Sequence, residues 1–133
     1  MPFSAEAPHW PLGLGRHLLA EIDSTNAEAL RRAAEGQGPQ WILAARQSAG
    51  RGRRARAWQS PSGNFYASLL IYPEGGPERA ALFSFAAALA LREALAALLR
   101  SEAGLALKWP NDVLFSGRKL AGILLERQGQ KAG

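Results

Sequence analysis

Hydrophobic and polar positions repeat with two different periods along the chain, and these periods separate strands from helices. Short apolar or alternating runs typical of β-strands occupy residues 18–22, 41–45, 64–72, 105–108, 113–115 and 119–126. Good helix formers and helically spaced apolar residues occupy residues 25–34 and 78–100. The order β-α-β-loop-β-α-β-β-β therefore predicts an α+β fold, with helices packed on one face of a mainly antiparallel or mixed β-sheet.

Local signals mark the ends of the two predicted helices. Residues 25–28, Thr-Asn-Ala-Glu, fit a capping box at the start of the first helix, and Gly36 supplies its C-terminal stop. In the second helix an apolar stripe is expected to pack against the sheet, and Gly104 is expected to stop the helix. The stripe consists of Leu82, Phe85, Leu89, Leu95 and Leu98.

Length and composition predict one domain over residues 1–133. The chain has 133 residues, 47% of them hydrophobic, which is enough to bury a core. The absence of cysteine excludes a disulfide scaffold, a thiol nucleophile and a cysteine-based metal site, and it agrees with a cytoplasmic location. We expect no membrane span, because the longest nearly apolar run, residues 80–91, is shorter than the roughly 20 residues required. The first ten residues show no signal peptide.

The positive charge of the chain is concentrated in one glycine-containing loop. Sixteen basic and eleven acidic residues give a net charge of +5. Five arginines (Arg46, Arg51, Arg53, Arg54 and Arg56) fall within a segment that has no acid. This concentration favours a compact anionic ligand, since guanidinium groups match phosphate and carboxylate oxygens in pairs and Trp58 can stack on a base. A solvated basic loop or an RNA-binding tract remains the alternative.

A second segment, residues 108–112 (Lys-Trp-Pro-Asn-Asp), places a lysine at the end of a predicted buried strand. Lysine is rarely buried without a partner, so Lys108 is either a point charge directed into a site or a solvated lysine on an edge strand. Asn111 and Asp112 are most simply turn residues that bond to nearby backbone. A direct chemical role for Asp112 is the less favoured interpretation.

Several motifs occur together in a fixed order: Ser24-Thr25-Asn26, residues 47–53 (QSAGRGR), Trp58, residues 108–112 (KWPND) and residues 118–126 (RKLAGILLE). With this set the chain resembles the catalytic domain of biotin protein ligases, also called biotin–[acetyl-CoA-carboxylase] ligases, within the biotin/lipoate protein ligase family. The resemblance implies a class II synthetase-like fold and covers about residues 18–126. It includes no winged-helix DNA-binding domain, which indicates a ligase without a repressor function.

The resemblance implies a reaction in two steps. Such enzymes join biotin to ATP with Mg²⁺ to form biotinyl-5′-AMP, and then transfer biotin to a lysine of the biotin carboxyl carrier protein of acetyl-CoA carboxylase. The expected ligands are therefore biotin, ATP and Mg²⁺, and the expected macromolecular partner is the carrier protein. A membrane and nucleic acid are not expected partners, and a homodimer is left open.

The resemblance also assigns roles to individual residues. Lys108 and Arg53 match the residues that stabilise developing charge during catalysis. The positions matching the biotin site are Ser24, Thr25, Gln47, Gly50, Arg51, Lys108 and Gly122. The positions matching the ATP and adenylate site are Arg51, Arg53, Arg56, Trp58 and Lys108. No metal ligand is identified.

The sequence departs from the family pattern in two places. Ala55 stands where many relatives have glycine, which restricts the backbone of the loop. After Glu126, the strands and the small C-terminal β domain expected in the family are replaced by the short end RQGQKAG, so the fold looks truncated. We therefore expect an open sheet edge that favours association, and weak ligand binding unless another segment completes the site.

Three other functions remain open from the sequence. A lipoate–protein ligase shares the fold and the adenylate chemistry of a biotin ligase. A catalytically impaired fragment would keep the motifs without the activity. A nucleic-acid-binding module would use the arginine loop, and its binding would depend steeply on salt concentration.

Overall fold

A computed structural model gives the fold of residues 10–128. Over this range the chain forms six β-strands and two α-helices in the predicted order, which confirms the α+β class. They are β1 (Gly15–Ile22), α1 (Thr25–Ala34), β2 (Gln40–Gln47), β3 (Tyr66–Leu70), α2 (Pro77–Leu99), β4 (Leu105–Lys108), β5 (Asp112–Phe115) and β6 (Arg118–Gly122). The described residues do not include residues 1–9, which contain most of the stretch that shows no signal peptide. They also do not include residues 129–133 of the C-terminal end.

The described residues fall into two compact units. Unit 1 contains residues 10–51 and 57–72, and unit 2 contains residues 52–56 and 73–128. Each unit has its own three-stranded sheet, in the order β1-β2-β3 in unit 1 and β4-β5-β6 in unit 2. The assignment of residues 1–133 to a single domain stays a prediction.

Unit 1 is a β-α-β arrangement with a third, antiparallel strand. β1 and β2 run parallel, which requires the crossover that α1 provides, and β3 pairs antiparallel with β2. α1 packs on β2 and β3. The buried core of this unit consists of Ala29 from α1, Ile42 from β2 and Leu70 from β3, with Leu19 and Ala33 packed against it.

The start of α1 lies one residue earlier than the capping box predicts. Ser24 is the N-cap, and its Oγ accepts a hydrogen bond from the Ala27 N–H at 2.9 Å. Thr25 is therefore the first helical residue, and Glu28 lies too far along the helix to complete the box. The Glu28 carboxylate instead accepts hydrogen bonds from Arg31 and Arg32. Gly36, with φ +74°, ends the helix as predicted.

Unit 2 is an antiparallel sheet covered by α2. β5 pairs with β4 on one side and β6 on the other, and α2 packs on β4 and β5. β4 has the predicted bounds, whereas β6 ends at Gly122, before the predicted residue 126. The pairing of β5 with β6 shifts register between Val113 and Leu114.

The predicted packing face of α2 is largely wrong. Leu82 and Leu98 are 61% and 71% exposed, whereas Ala88 is 4% exposed and Leu91 and Leu95 are half-buried. The physical reason is that a face with small alanine side chains lets the helix approach a sheet closely. The helix agrees with the predicted residues 78–100 to within one position at each end, but its C-cap is Arg100, in the left-handed conformation with φ +54°, and Gly104 is not the residue that stops it.

α2 is long and apolar enough, by length and composition, to cross a membrane. An 18-residue window of this helix has a mean hydropathy of 1.8, and 6% of the window is buried. One such helix is weak evidence of a membrane span, because the core helix of a soluble protein is equally long and apolar, so the expectation of no membrane span stays a prediction.

Candidate functional site

In unit 1, polar residues converge where the parallel strands β1 and β2 end. Ile22 and Gln47 face each other at the end of this pairing, so the residues that follow both strands lie at one edge of the sheet. The Thr25 N–H donates a hydrogen bond to Gln47 Oε1 at 2.8 Å. The backbone is joined here too, because the Ala49 N–H donates to the Asp23 carbonyl at 2.8 Å. The structure thus brings together three predicted biotin-site residues: Ser24, Thr25 and Gln47.

Ser68 on β3 joins this cluster, although no motif in the sequence points to it. Its Oγ lies within hydrogen-bond distance of Thr25 Oγ1, at 2.7 Å, and also contacts Asn26 Oδ1. Ser68 is 6% exposed and Thr25 is 4% exposed. The signal in the sequence is a serine between Tyr66 and Leu70 on the inward-facing positions of a strand, where an apolar residue is expected.

Ser60 forms the other boundary of the cluster, and Gly50 makes room for it. Gln47 Nε2 donates to Ser60 Oγ at 3.0 Å. A Cβ atom at Gly50 would lie 2.4 Å from Ser60 Oγ and 2.6 Å from the Trp58 carbonyl oxygen, so a side chain does not fit there. The close approach at Gly50 is therefore made to protein atoms, and its contact with a ligand stays a prediction.

The arginine segment forms a turn within the predicted loop. Arg51 and Ala57 form an isolated antiparallel bridge, and the Gly52 N–H donates to the Arg56 carbonyl at 2.7 Å. The predicted arginine positions are exposed: Arg51, Arg53, Arg54 and Arg56. Exposed guanidinium groups on a turn of this kind can reach a compact anion.

Two consecutive residues of the turn have left-handed backbone conformations. Arg54 has φ +58° and Ala55 has φ +59°. This conformation costs an L-residue roughly 1–2 kcal/mol, whereas glycine adopts it freely. Glycine, which the resemblance implies at position 55 in many relatives, is therefore the residue that this backbone favours.

Trp58 leaves the turn with its side chain accessible. Its N–H donates to the Gly50 carbonyl at 2.8 Å, and its own carbonyl accepts a hydrogen bond from Ser60 Oγ at 3.0 Å. The residue is 40% exposed. The backbone N–H and carbonyl of Trp58 are thus both hydrogen-bonded, while its exposed indole ring offers a flat surface on which a base can stack.

In unit 2, Lys108 lies at the end of β4, which is an edge strand with three of its four residues exposed. The predicted buried strand is therefore wrong, and Lys108 is an exposed lysine. It lines an open cavity of about 260 Å³ formed by Phe85, Ala88, Leu107, Lys108, Trp109, Pro110 and Asp112. The Trp109 ring packs on Phe85 with centroids 4.2 Å apart, so the cation borders an aromatic wall.

The turn after Lys108 is held by Asn111 and Asp112. Asn111 is buried, and its Nδ2 donates to the Ile123 carbonyl at 2.5 Å, while the Ile123 N–H donates to the Asn111 carbonyl at 2.9 Å. Asp112 pairs with Lys119 at 3.2 Å and lies opposite Gly122 in the sheet. Asn111 therefore bonds to nearby backbone as its interpretation as a turn residue predicts, whereas Asp112 is the first residue of β5 and its carboxylate pairs with the Lys119 side chain.

An ion-pair network borders the cluster of unit 1. Arg31 donates to both carboxylate oxygens of Asp23, at 2.9 and 2.7 Å, and lowers the pKa of that carboxyl to about 2. Arg31 and Arg32 together lower the pKa of Glu28, and the two carboxylates raise the pKa of Arg31. Asp23 Oδ1 also accepts the Ser24 N–H, so the network holds the residue that caps α1.

The described residues 10–128 contain no group of three or more His, Cys, Asp or Glu side chains that could hold a metal ion.

The sequence and the fold both match known proteins. The model of the biotin/lipoate A/B protein ligase family matches residues 18–133. A biotin–[acetyl-CoA-carboxylase] ligase of Paracoccus denitrificans is 54% identical over 116 residues, covering 87% of this chain and 48% of that protein. The bifunctional ligase/repressor BirA of Escherichia coli K12 is 41% identical over 114 residues, covering 85% of this chain and 35% of BirA.

Solved structures agree with these sequence matches. The Leishmania major biotin protein ligase in complex with biotin has a TM-score of 0.75 at 29% identity, covering 90% of this chain and 53% of that one. The Aquifex aeolicus biotin protein ligase in complex with biotin and ATP has a TM-score of 0.69 at 33% identity, covering 85% and 47%. The chain thus spans about half or less of the length of these relatives.

Proposed function

Since this chain belongs to the biotin/lipoate A/B protein ligase family, we propose that it activates biotin with MgATP and transfers it to a protein lysine. In the first step a biotin carboxylate oxygen bonds to the α-phosphorus of ATP and pyrophosphate leaves, giving biotinyl-5′-AMP. In the second step a lysine amine of the biotin carboxyl carrier protein attacks the acyl carbon. AMP leaves and the amine loses a proton. The proposed location of this reaction is the cytoplasm.

The observation that carries the choice of biotin is the polar cluster around Thr25 and Gln47. The ureido ring of biotin has two N–H donors and one carbonyl acceptor, so its site must offer both kinds of group. Ser24, Thr25 and Gln47 supply hydroxyl and amide groups at one edge of the unit 1 sheet, with the Gln47 amide already held by Thr25. Gly50, Arg51 and Gly122 complete the proposed biotin contacts.

The reaction also requires cations, because a carboxylate must approach a triphosphate. We assign this task to Lys108, Arg51 and Arg53, with Lys108 and Arg53 stabilising the charge that develops at the α-phosphate. At roughly 4 Å and an effective dielectric constant near 20, each such contact contributes about 4 kcal/mol before desolvation. The exposure of all three side chains leaves them accessible to such a ligand.

Arg56 and Trp58 are assigned to the nucleotide. The Trp58 indole offers a flat surface for the adenine, while Arg56 lies at the end of the same exposed turn. The nucleotide enters as MgATP, in which the ion is held mainly by phosphate oxygens and water.

Lipoate is the second candidate substrate, because the matching family includes lipoate ligases. The ring of lipoate contains two sulfur atoms and carbon, without N–H donors. A cluster of hydroxyl and amide groups fits this ring less well than the ureido ring of biotin. The similarity to a ligase named for biotin, at 54% identity, favours the same substrate.

The test is transfer to a purified carrier domain in the presence of MgATP, with biotin and lipoate offered separately. We expect a biotin label on the carrier lysine and none when ATP is omitted or that lysine is replaced by arginine. Transfer of lipoate without transfer of biotin would favour the second candidate. Oligonucleotide binding with a steep salt dependence, in the absence of either transfer, would instead favour a nucleic-acid-binding module.

A further inference from the structure

Ser60 is a buried residue to which neither the family motifs nor the proposed reaction assigns a role. It is 6% exposed and lies two residues after Trp58, where the chain leaves the arginine turn. Two separate hydrogen bonds join it to Gln47. The Gln47 N–H donates to the Ser60 carbonyl at 3.2 Å, and Gln47 Nε2 donates to Ser60 Oγ at 3.0 Å.

The polarity of these hydrogen bonds is determined at both ends by backbone groups. The Thr25 N–H can only donate, so the Gln47 amide must present its oxygen there, at 2.8 Å. The Trp58 carbonyl can only accept, so the Ser60 hydroxyl must donate to it, at 3.0 Å. The Ser60 oxygen is then left to accept from Gln47 Nε2. If the Gln47 amide were flipped, its NH₂ group would face the Thr25 N–H, and both groups would be donors.

The packing around Ser60 leaves little room for another arrangement. A Cβ atom at Gly50 would lie 2.4 Å from Ser60 Oγ and 3.0 Å from Gln47 Nε2. The Ser60 hydroxyl therefore fits here because residue 50 has no side chain. The Trp58 N–H donates to the Gly50 carbonyl from the same region of unit 1. The serine hydroxyl therefore occupies a site defined on several sides by protein atoms.

We propose that Ser60 is a positioning residue that sets the orientation of the Gln47 amide for the ureido ring of biotin. This proposal rests on the proposed function. With Thr25 and Ser60 each holding one end of the amide, the second N–H of Nε2 and the second lone pair of Oε1 keep fixed directions. Without the hydroxyl, the amide loses one of its two restraints and the Trp58 carbonyl loses a donor.

The test is the steady-state kinetics of Ser60→Ala in biotin-dependent adenylate formation. Because the ureido ring is remote from the reacting carboxylate, we expect the KM for biotin to rise about tenfold while kcat changes less than threefold. Ser60→Cys keeps the size of the side chain but is a weak hydrogen-bonding group, so it should raise KM similarly. If the alanine variant does not fold, the KM of Ser60→Cys for biotin tests the proposal instead. Ser62→Ala, an exposed serine in the same loop, is the matched control.

A double-mutant cycle separates positioning from a general structural effect. In a Gln47→Ala background, Ser60→Ala should leave the KM for biotin unchanged within twofold, because the amide that it orients is gone. An equal rise in KM in both backgrounds, or an unchanged KM in Ser60→Ala, would overturn the Ser60 proposal alone. Absence of biotin-dependent adenylate with the unmutated chain would overturn the proposed function, and this role with it.

Discussion

Ser68 Oγ lies 2.7 Å from Thr25 Oγ1, and both residues are buried although 43 positions separate them in the chain. The contact joins β3 to the first turn of α1, directly beside the N-cap Ser24. Ser68 also contacts Asn26 Oδ1. One inward-facing serine therefore holds the first residues of the helix against the sheet of unit 1.

Replacing Ser68 with alanine should reduce both stability and biotin affinity. The substitution removes a hydrogen-bond partner from buried groups, which costs about 1–3 kcal/mol in the free energy of unfolding. Because the Thr25 hydroxyl loses its orientation, the KM for biotin should also rise. Urea unfolding and initial rates measure the two effects. Ser62→Ala, at an exposed position, should change neither quantity, and wild-type values in Ser68→Ala would contradict the role given to this contact.

The Asp23–Arg31 ion pair predicts how stability depends on acid pH. The folded pKa of Asp23, about 2, lies below its ordinary value of 3.8, so the folded state resists protonation of this carboxylate. The stabilising contribution is complete above about pH 4 and is lost as pH falls through about 2. The lowered pKa of Glu28 has the same sign. The effect should be small, because the Asp23 side chain is 43% exposed and solvent screens the pair.

The Tm of the unmutated chain should accordingly fall more steeply between pH 5 and pH 2 than that of Asp23→Asn. Thermal unfolding in a pH series measures this difference, and added salt should reduce it. Glu74→Gln, which removes an exposed carboxylate elsewhere, is the control and should keep the steeper profile. Parallel profiles for the unmutated chain and Asp23→Asn would show that the ion pair contributes nothing.

Substitution of the proposed catalytic cations should slow adenylate formation. Lys108→Ala or Arg53→Ala should each lower the single-turnover rate by about 10²–10³, or roughly 2.7–4 kcal/mol, because each removes a charge that stabilises the transition state. Arg46→Ala is the matched control, since Arg46 lies before the turn and pairs with Glu21 at 3.6 Å. A loss below threefold in Lys108→Ala or Arg53→Ala would count against the assigned role.

Ligand binding should protect the arginine turn from proteolysis. Arg53 and Arg54 are exposed, and Arg54 has a left-handed backbone conformation. This segment should therefore open easily in the free chain. Biotin with MgATP should slow trypsin cleavage at these two positions by contacting their side chains. Cleavage at Arg127, an exposed arginine outside the turn, provides an internal reference. Equal cleavage rates at Arg53 and Arg54 with and without ligand would contradict this prediction.

The sequence predicts the local elements well, because short-range signals determine them. The turn at Pro110 and Asn111, the bounds of β4 and the stop at Gly36 all depend on neighbouring residues, and the structure confirms them. The start of α1 is displaced by one residue because Ser24 and Thr25 are both good caps. Only one of them can be the N-cap. Because Ser24 has the extended conformation of an N-cap, Thr25 is the first residue of the helix.

Long-range packing is less accessible from the sequence. The alanine-rich helix α2 offers several similar apolar faces, and nothing local shows that Ala88 is buried rather than Leu82 or Leu98. Ser60 and Ser68 become important only through partners 13 and 43 residues away. The motifs identify Thr25 and Gln47, but the hydroxyl groups that hold them carry no motif of their own.

The most direct test of the account is formation of labelled adenylate by this 133-residue chain. The chain is mixed in excess with α-³²P-ATP, Mg²⁺ and either biotin or lipoate, and the acid-quenched products are separated. We expect labelled biotinyl-5′-AMP with biotin, and only background label with lipoate or without an acid. No labelled adenylate with biotin, or equal amounts with biotin and lipoate, would contradict the proposed function.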